Sequence, residues 1–263
     1  MARLESKQIR MTRILLMAFA SVCGMGAAIP PAAPDSAAFD VILKRYVEEN
    51  GTVRYGALRM SLDPLSRFVE QIGAVSPDSH PALFPTRAHR LAYWINTYNA
   101  LVIWVMAQDY PEKKDRLGSQ AGQDRFFHKT LFRIGGRNRT LDDIETNAIR
   151  KQFREPRIHF AVVCASKSCP WLAREAFTAE RLEEQLERGA RLFLNRASNV
   201  SVDAARREVR LSALFDWYGQ DFGSSVEAVL RFIGKYRTAG ALLQEGKWKV
   251  SYFAYDWGIN EAK

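Results

Sequence analysis

The chain has 263 residues, 47% of them hydrophobic and 25% charged, an ordinary globular composition with enough apolar material for one sizeable core or two small ones. Its formal net charge is +9. That charge is spread along the chain, with no basic stripe and no nucleic-acid motif, so no nucleic-acid partner is expected.

The first 28 residues read as a secretory signal. Arg10 and Arg13 form a positive n-region, residues 14–22 an apolar h-region, and Ala27-Ala28 a small-residue cleavage point. Met11 opens as directly onto the h-region as Met1 does. Cleavage after Ala28 removes Arg3, Glu5, Lys7, Arg10 and Arg13, a net +3 of the +9, and leaves +6. The expected location is therefore periplasmic or secreted, with no membrane span beyond the signal segment. Lipid attachment at Cys23 is an alternative that Val22 fits poorly, and a signal that stays uncleaved is another. Without Cys23 two cysteines remain, Cys164 and Cys169. An oxidising compartment permits a disulfide between them if the loop brings their Cβ atoms together.

Residues 29–35 are a proline-rich leader. A helix capped by Asp35 or Ser36 is predicted to about Asn50, with Phe39, Ile42, Leu43 and Tyr46 on its apolar face. Residues 52–55 are extended. A second helix is expected over 58–72 with Pro64 in its first turn, then loop to Pro85. Residues 86–108 form a helix apolar nearly all round, so it should be central to the core; Asn96 and Asn99, three apart, share a face of it. Pro111 stops it, and 111–130 is an irregular excursion. Residues 131–137 suggest a strand and turn. Thr140 and Asp143 fit a capping box for a helix to about Phe153.

After Pro156 the run Arg157-Ile158-His159-Phe160-Ala161-Val162-Val163 reads as a buried strand, and it leads into the polar loop Cys164-Ala165-Ser166-Lys167-Ser168-Cys169-Pro170. Thr178 should cap a helix to Asn195. Residues 199–202 and 208–211 form a hairpin, 212–222 short aromatic-rich helices, 225–236 a helix, and 247–253 a strand. No linker or repeat interrupts residues 36–257, and the single domain is expected over 36–260. The expected fold is one helix-rich α+β domain with a small sheet and a buried central helix.

Several stretches match one family in the right order. They are residues 93–101 (Tyr-Trp-Ile-Asn-Thr-Tyr-Asn-Ala-Leu), 141–145 (Leu-Asp-Asp-Ile-Glu), 156–161 with 164–170, Phe215-Asp216-Trp217-Tyr218 with Asp221-Phe222, and Tyr255-Asp256-Trp257 with Asn260. Over roughly residues 40–260 the chain resembles the domain of unknown function 547 family. The resemblance implies an intact member of that family and no particular activity.

The residues themselves leave two readings. In the first, Cys169 is a nucleophile, His159 its base and Glu145 the group that orients the imidazole, giving a thiol-dependent hydrolase or acyl transferase. Lys167 and a following helix N-terminus would then favour the thiolate. On a strand, His159 points away from Cys164, so the loop cysteine is the better partner. Cysteine-peptidase and transglutaminase folds likewise pack a buried helix against a sheet carrying a histidine, a fold-level analogy. In those folds, however, the thiol opens the core helix, where this chain has Asn96 and Asn99. In the second reading Cys164 and Cys169 form a disulfide that shapes a pocket in a non-catalytic binding protein. Asn96, Asn99, Ser166 and Lys167 are then candidates for contacting a small-molecule or peptide ligand, although a buried amide is as readily a tie between the helix and the 164–170 loop. His80, His89 and His128 show no metal-ligand spacing, so neither metal nor cofactor is expected, and the protein is expected to be a monomer.

Overall fold

The computed structural model describes residues 31–113 and 115–262. Contacts divide the chain into Met1–Pro31 and Ala32–Lys263. Apart from Pro31 the first unit lies outside the described residues, and with it the signal segment and Cys23. All described helices and strands belong to the second unit.

The centre is helix α4, Arg87–Gln108, which comes after α1 (Ser36–Tyr46), α2 (Tyr55–Arg59) and α3 (Asp63–Ala74). Thr86 Oγ1 accepts from His89 N at 3.2 Å and caps its first turn. Every residue from Leu91 to Ile103 is buried, as an all-round apolar helix must be. Two helices replace the single one expected over 58–72. The chain breaks at residues 60–62 and restarts with Asp63 and Pro64 in a first turn, where a missing N–H costs nothing. Strands β1 (Phe132–Ile134) and β2 (Arg137–Arg139) form a hairpin. Its two-residue turn has both glycines at positive φ, Gly135 at +52° and Gly136 at +83°. A Cβ on Gly135 would lie 2.1 Å from Ser76 Oγ, so the hairpin can close onto α3 only with glycine there.

Helix α5 (Gln120–Asp124) precedes the hairpin. After it comes a continuous helical run of α6 (Leu141–Asp143), a π-helical turn (Ile144–Arg150) and α7 (Lys151–Phe153). Thr140 Oγ1 accepts from Asp143 N at 3.1 Å. A second apolar cluster is built from α8 (Leu182–Leu194), β3 (Val200–Asp203), β4 (Glu208–Leu211), α9 (Leu214–Trp217), α10 (Gly219–Phe222), α11 (Val226–Tyr236) and β5 (Lys249–Tyr252). β3 pairs antiparallel and β5 parallel with β4, whose Val209 and Leu211 face this cluster. Thr178 does not cap α8; the helix begins at Leu182 without a side-chain cap.

The stretch 157–163 is not a strand. Pro156–Phe160 is a 3-10 turn, opened by Pro156 and capped by Glu155, whose carboxylate accepts from Arg157 N at 3.1 Å. The chain then runs irregularly between the two apolar clusters: Phe160 belongs to the second and Ala161, Val162 and Val163 to the first. A short apolar run reports burial on both sides and does not by itself distinguish a strand from a turn between two cores. The architecture is thus helix-rich α+β, with two small sheets among the described residues. The likeness to cysteine-peptidase and transglutaminase folds is not supported, because the histidine sits on a turn and not on a sheet strand. Among the described residues no helix is long and apolar enough to cross a membrane.

Candidate functional site

The turn at 156–160 carries His159 into the seam between the clusters, where it is 3% exposed. Its Nε2 lies 2.7 Å from Asp221 Oδ2, on α10. Arg150 donates to the same carboxylate through Nε at 2.6 Å and Nη2 at 3.2 Å. Burial pushes the Asp221 carboxyl up, but the hydrogen bonds from His159 and Arg150 outweigh it and hold the group well below the usual carboxylate range. An ionised carboxylate only accepts, so Nε2 carries the proton. Tyr218 and Phe222, four apart across α10, pack on the imidazole with ring centroids at 4.3 and 5.3 Å. The carboxylate that His159 bonds is therefore Asp221 and not Glu145.

Among the described residues the backbone at 161–163 has no strand neighbour, and the Asn99 side chain supplies what one would. Its Nδ2 donates to Ala161 O at 2.9 Å and its Oδ1 accepts from Val163 N at 3.0 Å. Asn96 makes the same two-bond clamp on Phe177, at 2.8 and 2.9 Å. Both amides are structural ties from α4, a role that buried side-chain amides commonly take. The next residues fold back on themselves. Cys164 and Cys169 have Cα atoms 6.2 Å apart and sulfurs at disulfide distance. Ala165 takes a left-handed φ of +64°. The loop is then pinned by the C-terminal tail: Lys167 N donates to Gly258 O at 2.8 Å and Asn260 N to Ala165 O at 3.0 Å. Ser166 Oγ donates to Tyr255 OH at 2.9 Å, and Cys164 Sγ lies 3.1 Å from the same hydroxyl.

A cavity of about 430 Å³ opens beside this loop. His159, Cys164, Cys169 and Glu145 all line it. So do Trp217, Tyr255 and Trp257, whose rings pack together with centroids 4.6 to 5.8 Å apart. Trp217 is 48% exposed and forms the open lip. Tyr98 OH donates to Glu145 Oε2 at 3.2 Å, and Tyr218 hydrogen-bonds the same carboxylate. Burial, then the Glu145 charge, pushes the Tyr98 and Tyr218 hydroxyls far above the ordinary tyrosine value. Burial likewise raises Tyr255, partly offset by its hydrogen bond with Ser166. These phenols stay neutral at any physiological pH. Asp142 and His128, 3.8 Å apart, add a polar edge. The arrangement suits a small ligand with a flat face against the indoles and polar atoms turned to the carboxylates and phenols.

Of the residues singled out from sequence, His159, Cys164, Cys169 and Glu145 meet at this cavity. Asn99 supports its wall from behind through Ala161 and Val163, and Asn96 holds Phe177, away from it. Ser166 is buried under Tyr255, and Lys167 is exposed beside Gly258 and Asp256. Sequence reasoning missed Asp221, Tyr98 and Tyr218 as site residues. The available signal was the pair Tyr218 and Phe222 with Asp221 between them, which one helical turn presents to a common neighbour.

Residues 84–194 match the family model described as "Protein of unknown function, DUF547". That stretch contains Tyr98, Glu145, His159 and both loop cysteines, while Trp217, Tyr218, Asp221, Tyr255 and Trp257 lie beyond it. No curated protein and no solved structure matches the chain. The family resemblance carried by the sequence motifs is thus matched over residues 84–194, which hold the central helix and the cysteine loop.

Proposed function

We propose that this is an exported, non-catalytic binding protein. It holds a small ligand in the aromatic cavity, and a Cys164–Cys169 disulfide shapes the wall. One observation carries the reading: the thiols that a thiol mechanism needs are already engaged. The two sulfurs lie at disulfide distance from each other, so neither cysteine offers a free thiol to His159, whose pairing with Asp221 suits either reading. The remaining wall has the features of a recognition surface, with indole faces, three neutral phenols and the Glu145 carboxylate. Export rests on the signal pattern of residues 1–28, and the oxidising compartment it leads to favours the disulfide.

A thiol-dependent hydrolase or acyl transferase is the second reading. What favours it is that both cysteines, His159 and Glu145 line a single cavity. Reduction of the pair would free Cys169 for nucleophilic work with His159 as base and Asp221 as the orienting carboxylate.

The test is to purify the protein from the exported fraction of its own cells, alkylate it without reductant, and analyse it by mass spectrometry under denaturing and native conditions. A binding protein shows no alkylated Cys164 or Cys169 and releases a small molecule on denaturation that Trp257→Ala no longer carries. A quantitatively alkylated Cys169, or an acyl adduct on it, overturns the first reading in favour of the second.

A further inference from the structure

A second cavity, about 660 Å³, lies against α8 and the residues that come after the cysteine loop. Its walls are apolar, formed by Phe160, Leu172, Phe177 and Phe193, with Trp171 and Leu192 at the rim, 40% and 51% exposed. Four cations line it, Lys44, Arg174, Arg188 and Arg196, against two carboxylates, Glu49 and Glu175. Three of the cations are already paired. Lys44 holds Asp40 at 2.6 Å, Arg174 reaches Glu49 at 3.4 Å, and Arg188 bonds Glu184 at 2.6 Å and also Glu175.

Arg196 differs. Among the described residues its side chain has no carboxylate and no hydrogen-bond acceptor, and its Nε is buried without a partner. The guanidinium lies 4.5 Å from the Trp171 ring centroid and 5.3 Å from that of Phe193. Burial lowers its pKa to about 10, which still leaves it charged at neutral pH. Stacking on aromatic faces offsets on the order of 1–2 kcal/mol and satisfies none of the N–H donors. The buried Nε–H lacks an acceptor while the rest of the partly exposed fork faces the cavity, and a guanidinium fork matches the two oxygens of a carboxylate or phosphate. The stack is held in place: Gly51, at φ +73°, lies so close that a Cβ there would come 2.4 Å from Trp171 Cβ.

We infer that this cavity binds an amphiphilic anion, with a carboxylate or phosphate head on the Arg196 fork and an apolar tail along Phe160, Leu172, Phe177 and Phe193. The size is that of a small-molecule pocket. The site adjoins the aromatic cavity at Pro170, which lines both, and its assignment does not depend on what that cavity does.

The experiment titrates the full exported protein with four ten-carbon probes below their micelle concentrations, read by calorimetry and tryptophan fluorescence. The probes are decanoate, decyl phosphate, decanol and decyltrimethylammonium. At least one of the two anions should saturate a single site, at least tenfold more tightly than decanol, with no saturable site for the cation; which anion binds names the head group. Arg196→Met keeps a straight stem on Trp171 and removes the charge; it should weaken the anion at least tenfold and leave decanol unchanged. If that variant does not fold, Leu192→Glu, at an exposed rim position, decides by placing a negative charge at the mouth, and it should weaken the anion several-fold. Absence of saturable binding by either anion, decanol binding as tightly as both anions, or undiminished anion binding in the variant that folds overturns the assignment.

Discussion

Replacing Asn99 by alanine tests how the cavity wall is held. Asn99 is 2% exposed, and its amide is the partner of both Ala161 O and Val163 N in a stretch without a strand neighbour. Those two residues are 5% and 1% exposed, so water does not replace the lost bonds without rearrangement. Each buried backbone group left unpartnered costs about 1–3 kcal/mol, so the pair together loses about 4 kcal/mol. That is a large share of the ~5–15 kcal/mol that holds an ordinary domain together. With a urea dependence of about 2–3 kcal/mol/M, the unfolding midpoint should fall by about 1.5 M. Asn99→Asp should not rescue it, because a carboxylate still accepts from Val163 N but donates nothing to Ala161 O. Asn96→Ala breaks the matching clamp on Phe177 and should destabilise to a similar degree. Only the Asn99 variant should speed amide exchange at Val163. An Asn99→Ala protein within about 0.5 kcal/mol of the parent, against the full cost of two unpartnered groups, would refute the clamp. So would stability kept while ligand binding is lost, since the amide would then serve the ligand and not the backbone.

The same geometry sets three further expectations. Replacing Cys164, Cys169 or both with serine should leave the fold intact and give similar losses of at most about 2 kcal/mol, because a ring this small constrains the unfolded chain little; loss of function with Cys169→Ser alone, Cys164→Ser being harmless, would identify a nucleophile. Asp221 has a carboxyl held low by His159 and Arg150, so its contribution to stability is present above the unfolded value of about 4 and is lost as pH falls below it. Asp221→Asn should therefore cost about 2 kcal/mol at pH 7, less than a fully buried pair, and flatten the acid limb of urea midpoints measured from pH 2 to 7. At the other end, Tyr98, Tyr218 and Tyr255 have raised values through burial first and the Glu145 charge after it, so stability present below about pH 10 should fall as pH rises above it. Their phenolate absorbance should appear only with unfolding, and appearance in the folded protein at pH 11 would show that these hydroxyls are not buried donors.

Much of the molecule is readable from local pattern alone. An all-round apolar run between Thr86 and Pro111 can only be a core helix, and two glycines between Ile134 and Arg137 can only be a tight turn. Cys164 and Cys169 are close enough in sequence for their sulfurs to meet wherever the loop folds back. These features depend on period, caps and turn chemistry, which act within a few residues. The site depends on what no local pattern encodes. Residues 157–163 are apolar because two clusters press on them from opposite sides, and that is why they read as a strand and fold as a turn. The hydrogen bonds a strand would take from a neighbour come instead from Asn99, more than sixty residues earlier. His159 takes its carboxylate from Asp221, 62 residues later, not from Glu145. Burial can be read from composition along the chain, but the partner of a buried polar group is chosen only when α4, α10 and the C-terminal tail meet around it.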